Sequence, residues 1–245
     1  MEIIGLIPCA GKGSRLGLPF SKEMFPIVHH KKYTPIIYYT INAMKEAGLK
    51  HLIFTINPNK GDLLKYLGNG SQFDMKFTYC VHPEPRSLPE SLYEAMHLIQ
   101  NKQVVFAMPD TYVQPTNFLK ILMKDHFSDQ DRAATLACFE TNNPSKFGMV
   151  DYKENKVFEI IDKPSKSKLK WMWGAIVWNH EFTLELKKFV ESQENHNNSS
   201  GELTLTDSFK NLIQNNKVFC YRFFNGTYRD LGTYDEIKEW IKSCN

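Results

Sequence analysis

The sequence has little cysteine: among its 245 residues only Cys9, Cys80, Cys138, Cys220 and Cys244 occur. No two of them form a C-x-x-C pair, and an odd number of scattered cysteines argues against both a zinc knuckle and a disulfide framework. Reduced thiols are typical of the cytoplasm, where disulfides are rare. We therefore expect a cytoplasmic protein without structural disulfides.

Long apolar runs and concentrated charge are also missing, and no leader sequence is expected. No apolar run approaches the roughly 18 residues that cross a bilayer, so no membrane partner is expected. Residues 1–7 begin a strand pattern at once, without the basic and apolar regions of a signal peptide. The net charge is only +3, and the densest positive run, within residues 163–170, is short. A nucleic-acid partner is not expected either, because such proteins concentrate basic residues in a stripe.

The first half of the chain alternates short apolar runs with helical patterns. Strands are predicted over residues 3–7, 51–56, 76–81 and 104–108, and helices over residues 34–47, 60–67, 89–100 and 116–127. In the first of these helices Thr34 is the expected N-cap, Pro35 suits the first position and Gly48 ends it. Repeated strand–helix–strand units indicate a mostly parallel sheet with helices on both faces.

The second half is richer in strands. Residues 133–139, 147–152, 156–161 and 172–178 are β-like, and helices are predicted over residues 180–192, 204–214 and 233–243, with a polar loop at 193–201. Little helix separates the first three of these strands, which favours a small antiparallel addition to the parallel sheet. The pattern predicts a single α/β domain over residues 1–245, divided into halves at 1–132 and 133–245.

A glycine-rich turn follows the first strand, with the sequence P-C-A-G-K-G-S-R-L-G from residue 8 to residue 17. Gly11 and Gly13 let the backbone approach a phosphate closely, with amide groups pointing inward. Arg15 adds a forked donor that grips two phosphate oxygens, and Lys22 can bring a further positive charge. The turn is therefore a candidate phosphate-binding site.

Two other phosphate-binding motifs can be excluded by spacing. A dinucleotide fold requires G-x-G-x-x-G and an acidic residue about twenty positions later. Here the third glycine, Gly17, falls one place late, and residues 29–32 read H-H-K-K. A P-loop requires G-K-[ST], which does not follow. A purely structural turn remains an alternative at this point.

The run A-G-x-G-S-R-L at residues 10–16, followed by S-K-E-M-F-P-I at 21–27, resembles the signature of the sugar-phosphate nucleotidyltransferase family. This family contains glucose-1-phosphate thymidylyltransferases and UTP-dependent pyrophosphorylases. The resemblance implies a Rossmann-like three-layer αβα fold with a mostly parallel mixed sheet. It also implies that residues 1–132 bind the nucleotide and that residues 133–245 bind the acceptor.

Two carboxylates match the positions at which the family binds Mg²⁺. Asp110 ends the run V-V-F-A-M-P-D, although Pro109 stands where the family has glycine. Asp230 lies in Y-R-D-L-G-T, which resembles the family's W-x-D-x-G-T element. Mg²⁺ is a hard ion that takes few protein oxygens and keeps water and phosphate ligands. For each aspartate, a role as a turn residue remains the alternative.

The resemblance also implies an acceptor site for a sugar phosphate. Its residues are Gly148 in F-G-M-V, Asp162 and Lys163 in D-K-P, and Gly174 in W-G-A. Asp162 is one methylene shorter than the family's glutamate, so its carboxylate reaches less far toward a sugar hydroxyl. For Glu202 and Asp207, capping of the next helix is as well supported as ligand contact.

The base-reading segment departs most from the family pattern. His82 replaces a glutamine and Ser87 replaces a glycine, and a neutral imidazole cannot offer the side-by-side donor and acceptor of an amide. The identity of the base therefore cannot be carried over. The nucleotide-binding residues that the resemblance implies are Pro8, Ala10, Gly11, Gly13, Ser14, His82 and Ser87.

The resemblance predicts Mg²⁺-dependent transfer of a nucleotidyl group from a pyrimidine nucleoside triphosphate, dTTP or UTP, to a sugar 1-phosphate. Arg15, Lys22 and Lys163 are the predicted catalytic residues, and pyrophosphate is the second product. Two alternatives stay open: a CTP-dependent cytidylyltransferase acting on a non-hexose phosphate, and a catalytically silent nucleotide-binding homologue. The partners are then a nucleoside triphosphate and a sugar phosphate, and a homodimer is compatible with the sequence.

Overall fold

Thirteen strands occur in the described part of the computed structural model, which covers residues 2–13, 16–29, 32–194 and 203–243. In chain order they are β1 (Ile3–Cys9), β2 (Pro26–His29), β3 (Lys32–Pro35), β4 (His51–Ile56), β5 (Lys76–Val81), β6 (Gln103–Ala107), β7 (Thr111–Gln114), β8 (Ala134–Glu140), β9 (Gly148–Lys153), β10 (Lys156–Asp162), β11 (Trp171–Trp178), β12 (Val218–Arg222) and β13 (Thr227–Asp230). Nine of them form one sheet in the order β5-β4-β1-β6-β11-β8-β12-β10-β9.

This sheet combines a parallel half with an antiparallel extension. Strands β5, β4, β1 and β6 run parallel to one another. Strand β11 runs antiparallel to both of its neighbours, β6 and β8, and β9 and β10 form an antiparallel pair. The α/β class and the antiparallel addition predicted from the sequence are confirmed.

Eight α-helices lie among the described residues, with four short 3-10 turns. The helices are α1 (Ile37–Glu46), α2 (Gly61–Leu67), α3 (Leu88–Tyr93), α4 (Met96–Ile99), α5 (Phe118–His126), α6 (His180–Glu194), α7 (Lys210–Gln214) and α8 (Tyr234–Ser243). No helix in the described ranges is long and apolar enough to cross a bilayer.

The sheet is buried on both faces. Alternate side chains of β6 belong to different core clusters: Val104 and Phe106 pack in one, and Val105 and Ala107 pack in the other. Side chains alternate between faces along a strand, so the two clusters lie on opposite sides of the sheet. The three-layer arrangement predicted from the sequence is confirmed.

The first predicted helix begins later than expected. Residues 32–35 form β3 and pair with β2, so Thr34 and Pro35 belong to a hairpin and not to a helix N-terminus. Ile36 N donates to Phe25 O at 3.1 Å, and α1 starts at Ile37. The local capping pattern was therefore overridden by the pairing of Thr34 with Ile27 and of Pro35 with Pro26.

Other boundaries also differ from the prediction. The helix predicted over 89–100 is divided into α3 and α4, and the one over 204–214 is a 3-10 turn at Leu205–Phe209 followed by α7. Besides the hairpin of β2 and β3, strands β7, β12 and β13 were not predicted. The polar loop predicted at 193–201 lies, apart from the end of α6, outside the described residues.

His126 at the end of α5 is buried in its neutral form. Only 2% of its surface is exposed, and Nδ1 lies 2.9 Å from the hydroxyl of Thr135. Burial lowers the pKa of His126 to about 4, and the positive charge of Arg132 adds to this effect. The folded protein therefore resists protonation of this imidazole.

We predict that His126 makes the fold sensitive to acid. Its folded pKa of about 4 lies below the ordinary value of 6.5, so the unfolded chain takes up a proton first as the pH falls. This contribution to stability is complete above about pH 6.5 and is lost as the pH falls toward about 4. Between about pH 7.5 and about pH 5, the free energy of unfolding should fall by about 2 kcal/mol more in the natural chain than in His126→Gln. Urea unfolding measures the difference, and equal losses in both proteins would contradict the prediction.

Candidate active site

A buried ion pair lies at the carboxyl end of β6, the edge of an α/β sheet at which ligands bind. Lys22 Nζ lies 2.5 Å from Asp110 Oδ2, and the two side chains are only 15% and 7% exposed. Lys22 begins a 3-10 turn, and Asp110 lies between β6 and β7. Burial lowers the pKa of Lys22, but attraction to Asp110 and Glu23 outweighs it and leaves the pKa raised. Lys22 is therefore positively charged at this edge of the sheet.

The pairing of β13 with β7 brings the second carboxylate to this point. Asp230, the last residue of β13, lies opposite Thr111, the residue that follows Asp110. Leu231 N also donates to Asp110 O at 2.8 Å. Two aspartates that are far apart in the sequence are thus neighbours because two short strands pair.

Both carboxylates face one small space beside Gly232. A Cβ at Gly232 would stand 2.8 Å from Asp230 Oδ1 and 3.5 Å from Asp110 Oδ2. Burial raises the pKa of Asp230 to about 6, and the negative charge of Asp110 contributes to the increase. A cation between the two carboxylates would relieve this repulsion, and glycine leaves the room for it.

These two carboxylates fit Mg²⁺ better than a softer metal. Both ligands are hard oxygens, and Mg²⁺ is commonly held by one or two carboxylates together with water and phosphate. Within the described residues there is no cluster of three or more histidine, cysteine or acidic side chains that could enclose a metal. The donor set is therefore of the type that shares its ion with a phosphate ligand.

A cavity of about 210 Å³ opens beside the carboxylates and collects the predicted acceptor residues. Its lining includes Lys22, Asp110, Gly148, Asp162, Lys163, Gly174 and Asp230. These residues come from both halves of the chain. The structure thus brings together residues that the sequence could relate only through their order in the family pattern.

Packing explains two glycines of this cavity. A Cβ at Gly148 would stand 2.3 Å from Trp173 Nε1, and a Cβ at Gly174 would stand 2.3 Å from Tyr228 Cε2. Neither distance is tolerated by real atoms, so each aromatic ring requires the glycine that it covers. The two rings form part of the cavity wall.

Lys163 has an unusual backbone conformation at the mouth of the cavity. Its φ of 43° lies in the left-handed region, and its N–H donates to Phe147 O at 3.0 Å. Such strain in a residue other than glycine is concentrated at functional sites. The side chain is 59% exposed, with Nζ 3.8 Å from Asp162 Oδ2, so it is free to turn toward an anion.

A second cavity, of about 680 Å³, lies on the other side of the Lys22 turn. Its lining comes from the glycine-rich turn and from three further segments, with Ala10, Lys12, Ser21, Asn57, Lys60, Asp62, Pro83 and Glu84 among its residues. Asn57 Nδ2 donates to Ala10 O at 2.7 Å and so holds the end of β1. A Cβ at Gly13 would stand 3.4 Å from Lys22 Cβ, and the φ of Gly13 is 67°, a conformation that glycine adopts readily.

The remaining predicted nucleotide residues are placed as follows. Ser14 and Arg15 lie outside the described residues. Pro8 is buried in β1. His82 Nδ1 accepts from Glu84 N at 3.2 Å, and Ser87 is the N-cap of α3, with its hydroxyl accepting from Glu90 N at 3.3 Å.

The sequence left Glu202 and Asp207 open between helix capping and ligand contact. Asp207 is bonded to other side chains of the protein. It accepts from the hydroxyl of Thr204 at 2.8 Å and pairs with Lys210 at 2.8 Å, which favours the capping role. Glu202 lies outside the described residues.

Several cavity residues were missed from the sequence, namely Lys146, Thr204, Thr206 and Tyr228. Tyr228 stands where the family pattern W-x-D-x-G-T has tryptophan, so its position in that motif was a signal for it. Lys146, which pairs with Glu236, had no such signal because its partner is 90 positions away.

The family follows from a comparison over nearly the whole chain. The family model described as Nucleotidyl transferase matches residues 4–244. The chain belongs to the nucleotidyl transferase family. It is therefore an enzyme of the nucleotidyltransferase class, as the order of its motifs predicts.

Individual relatives are distant but span the chain. A glucose-1-phosphate thymidylyltransferase of Neisseria meningitidis serogroup A is 25% identical over 242 residues, which cover 96% of this chain and 80% of the relative. A glucose-1-phosphate adenylyltransferase of Clostridium acetobutylicum is 28% identical over 261 residues, which cover 97% of this chain and 66% of the relative. The structure of UTP-bound UGPase from Acinetobacter baumannii superposes with a TM-score of 0.77 at 20% identity, and the match covers 99% of this chain and 93% of that one. This similarity shows a shared fold.

We predict that Gly232→Ala abolishes cation binding without unfolding the protein. The new Cβ would stand 2.8 Å from Asp230 Oδ1 and 3.5 Å from Asp110 Oδ2, so it would crowd both carboxylates. A cation that binds only the folded state raises the melting temperature, so MgCl₂ should stabilise the natural chain but not the variant. Gly61→Ala is the control, because a Cβ there meets nothing within 4 Å. An equal shift in all three proteins would refute the assignment.

Proposed function

We propose that this protein catalyses the Mg²⁺-dependent transfer of a nucleotidyl group from dTTP or UTP to a sugar 1-phosphate, with release of pyrophosphate. The observation that carries the proposal is the contact of Lys22 with Asp110, beside Asp230, between two cavities. The sugar phosphate named in both curated relatives, and the UTP of the structural neighbour, support the substrate class.

The nucleotide occupies the larger cavity in this proposal, and the acceptor occupies the smaller one. The amides of residues 11–14 and the guanidinium of Arg15 bind the β- and γ-phosphates, because backbone donors and a forked cation suit phosphate oxygens. Lys163 and Asp162 hold the acceptor phosphate and a sugar hydroxyl. Residues 1–132 then supply the nucleotide side, and residues 133–245 supply most of the acceptor side.

The reaction requires positioning and positive charge more than proton transfer. An oxygen of the acceptor phosphate forms a bond to the α-phosphorus, and the bond from that phosphorus to the bridging oxygen breaks, so pyrophosphate leaves with the electron pair. The nucleophile is already anionic, so no general base is needed. When bound by Asp110 and Asp230, Mg²⁺ supplies charge that neutralises phosphate oxygens. Lys22 donates to the oxygens of the α-phosphate and leaving group.

This chain departs from the family pattern at the residues that read the base. His82 and Ser87 replace the residues that read a pyrimidine in the family pattern, and one relative is named as a thymidylyltransferase while another is named as an adenylyltransferase. A cytoplasmic location and a homodimer likewise remain predictions of the sequence.

Pyrophosphate release from a panel of triphosphates and acceptors tests the substrates directly. We expect turnover with dTTP or UTP and a hexose 1-phosphate. Turnover only with CTP and a non-hexose phosphate would contradict the proposal and would identify the protein as a cytidylyltransferase. Nucleotide binding without release from any pair would favour a silent homologue.

We predict that Lys22→Met lowers kcat by about 10²-fold to 10³-fold, the loss typical of removing one transition-state donor. Methionine keeps most of the length of the side chain but removes the charge. Lys45→Met is the control, because Lys45 is a half-exposed lysine paired with Asp74 at 2.9 Å, outside both cavities. Pyrophosphate release at saturating substrates gives kcat, and urea unfolding shows whether each variant is folded. A folded Lys22→Met protein with nearly natural kcat would exclude the proposed role of Lys22.

A further inference from the structure

Both sequence neighbours of Lys22 are attached to the first turn of α2. On one side, Ser21 donates to Asp62 twice: the amide to Oδ2 at 2.8 Å and the hydroxyl to Oδ1 at 2.5 Å. On the other side, Glu23 Oε2 accepts from Lys60 Nζ at 2.6 Å. The side chain of Lys22 itself pairs with Asp110. Its backbone is thus held on both sides by contacts that do not involve its own side chain.

The Lys60–Glu23 pair is buried more deeply than a surface ion pair. The side chains are 5% and 0% exposed, respectively. Removing such charges from water is costly, and a buried pair contributes little net stability compared with apolar side chains of the same size. Stability alone therefore does not explain why two charges are placed here, whereas fixing a unique geometry for the adjacent Lys22 does.

The segment that carries Lys60 is itself anchored to the end of β1. Asn57 donates to Ala10 O at 2.7 Å, and Lys60 N donates to Asn57 O at 3.2 Å. The same segment lines the larger cavity. The position of Lys22 is therefore connected through Lys60 to the sheet and to the cavity wall.

We infer that Lys60 and Glu23 are positioning residues, whose buried ion pair fixes the turn that aims Lys22 at the reacting phosphates. This inference rests on the proposed function. Lys60 acts through Glu23 and the Lys22 backbone, and it does not itself contact the reacting atoms. Loss of the pair should therefore weaken an interaction made in the transition state, and substrate binding should change little.

The test compares Lys60→Met with the double variant Glu23→Gln/Lys60→Met. The single variant leaves Glu23 buried without its partner and can unfold for that reason, whereas the double variant leaves no uncompensated buried charge. For the folded proteins we expect kcat to fall by about 10-fold or more, with KM for the triphosphate changing less than about 3-fold. Lys60→Arg should keep kcat within about 3-fold of the natural value, because arginine keeps the positive charge. Leu122→Ala, a core variant in α5, is the control for lost stability and should keep the natural kcat.

Three results would overturn the inference. A higher KM with unchanged kcat would make Lys60 a nucleotide ligand, unchanged kcat and KM would make the pair purely structural, and a lower kcat in Leu122→Ala would make the loss non-specific. A natural chain without turnover would instead contradict the proposed function.

The positioning can also be measured without turnover. In ¹⁵N-lysine spectra the ammonium signal of Lys22, assigned by its loss in Lys22→Met, should shift in the double variant but not in Lys60→Arg. An unmoved signal would reject the positioning role.

Discussion

The arrangement of the site depends on alternating charges that are buried together. Lys60, Glu23, Lys22 and Asp110 form two close pairs through the interior, and Asp230 lies beside the last of them. No member is tolerable there alone, because an isolated buried charge is far more costly than a paired one. Two lysines face three carboxylates in this group, so one negative charge is in excess. It lies at the two aspartates, where the cavity wall can present it to a cation.

The position of this excess negative charge depends on the topology of the sheet. Residues at the carboxyl ends of β1 and β6 meet at one edge because these strands are parallel neighbours. Asp230 reaches that edge through a separate two-stranded sheet, in which β13 lies against β7. The fold thus brings these residues together by two pairings: β1 beside β6 for the segment of Lys22 and for Asp110, and β13 against β7 for Asp230.

The sequence predicted the charged residues of the candidate site better than the residues that support them. Lys22, Asp110 and Asp230 could be found because each occurs in a short motif whose order along the chain is characteristic. The partners Glu23 and Lys60 could not, since their pairing spans 37 positions and depends on how α2 packs on the Lys22 turn. The hairpin of β2 and β3 was missed for the same reason, because Thr34 and Pro35 also satisfy the local rules for a helix start.

A similar distinction applies to the wall of the smaller cavity. Gly148 and Gly174 match the family pattern, yet in this protein each is required by an aromatic ring, Trp173 or Tyr228, that leaves no room for a Cβ. The motif identifies the glycine, whereas the ring sets the shape of the smaller cavity. Trp173 belongs to W-G-A and Tyr228 to Y-R-D-L-G-T, so each glycine and the ring that covers it come from two different motifs. Only the fold brings the two motifs into contact, and the order of motifs along the chain therefore does not reveal the shape of this wall.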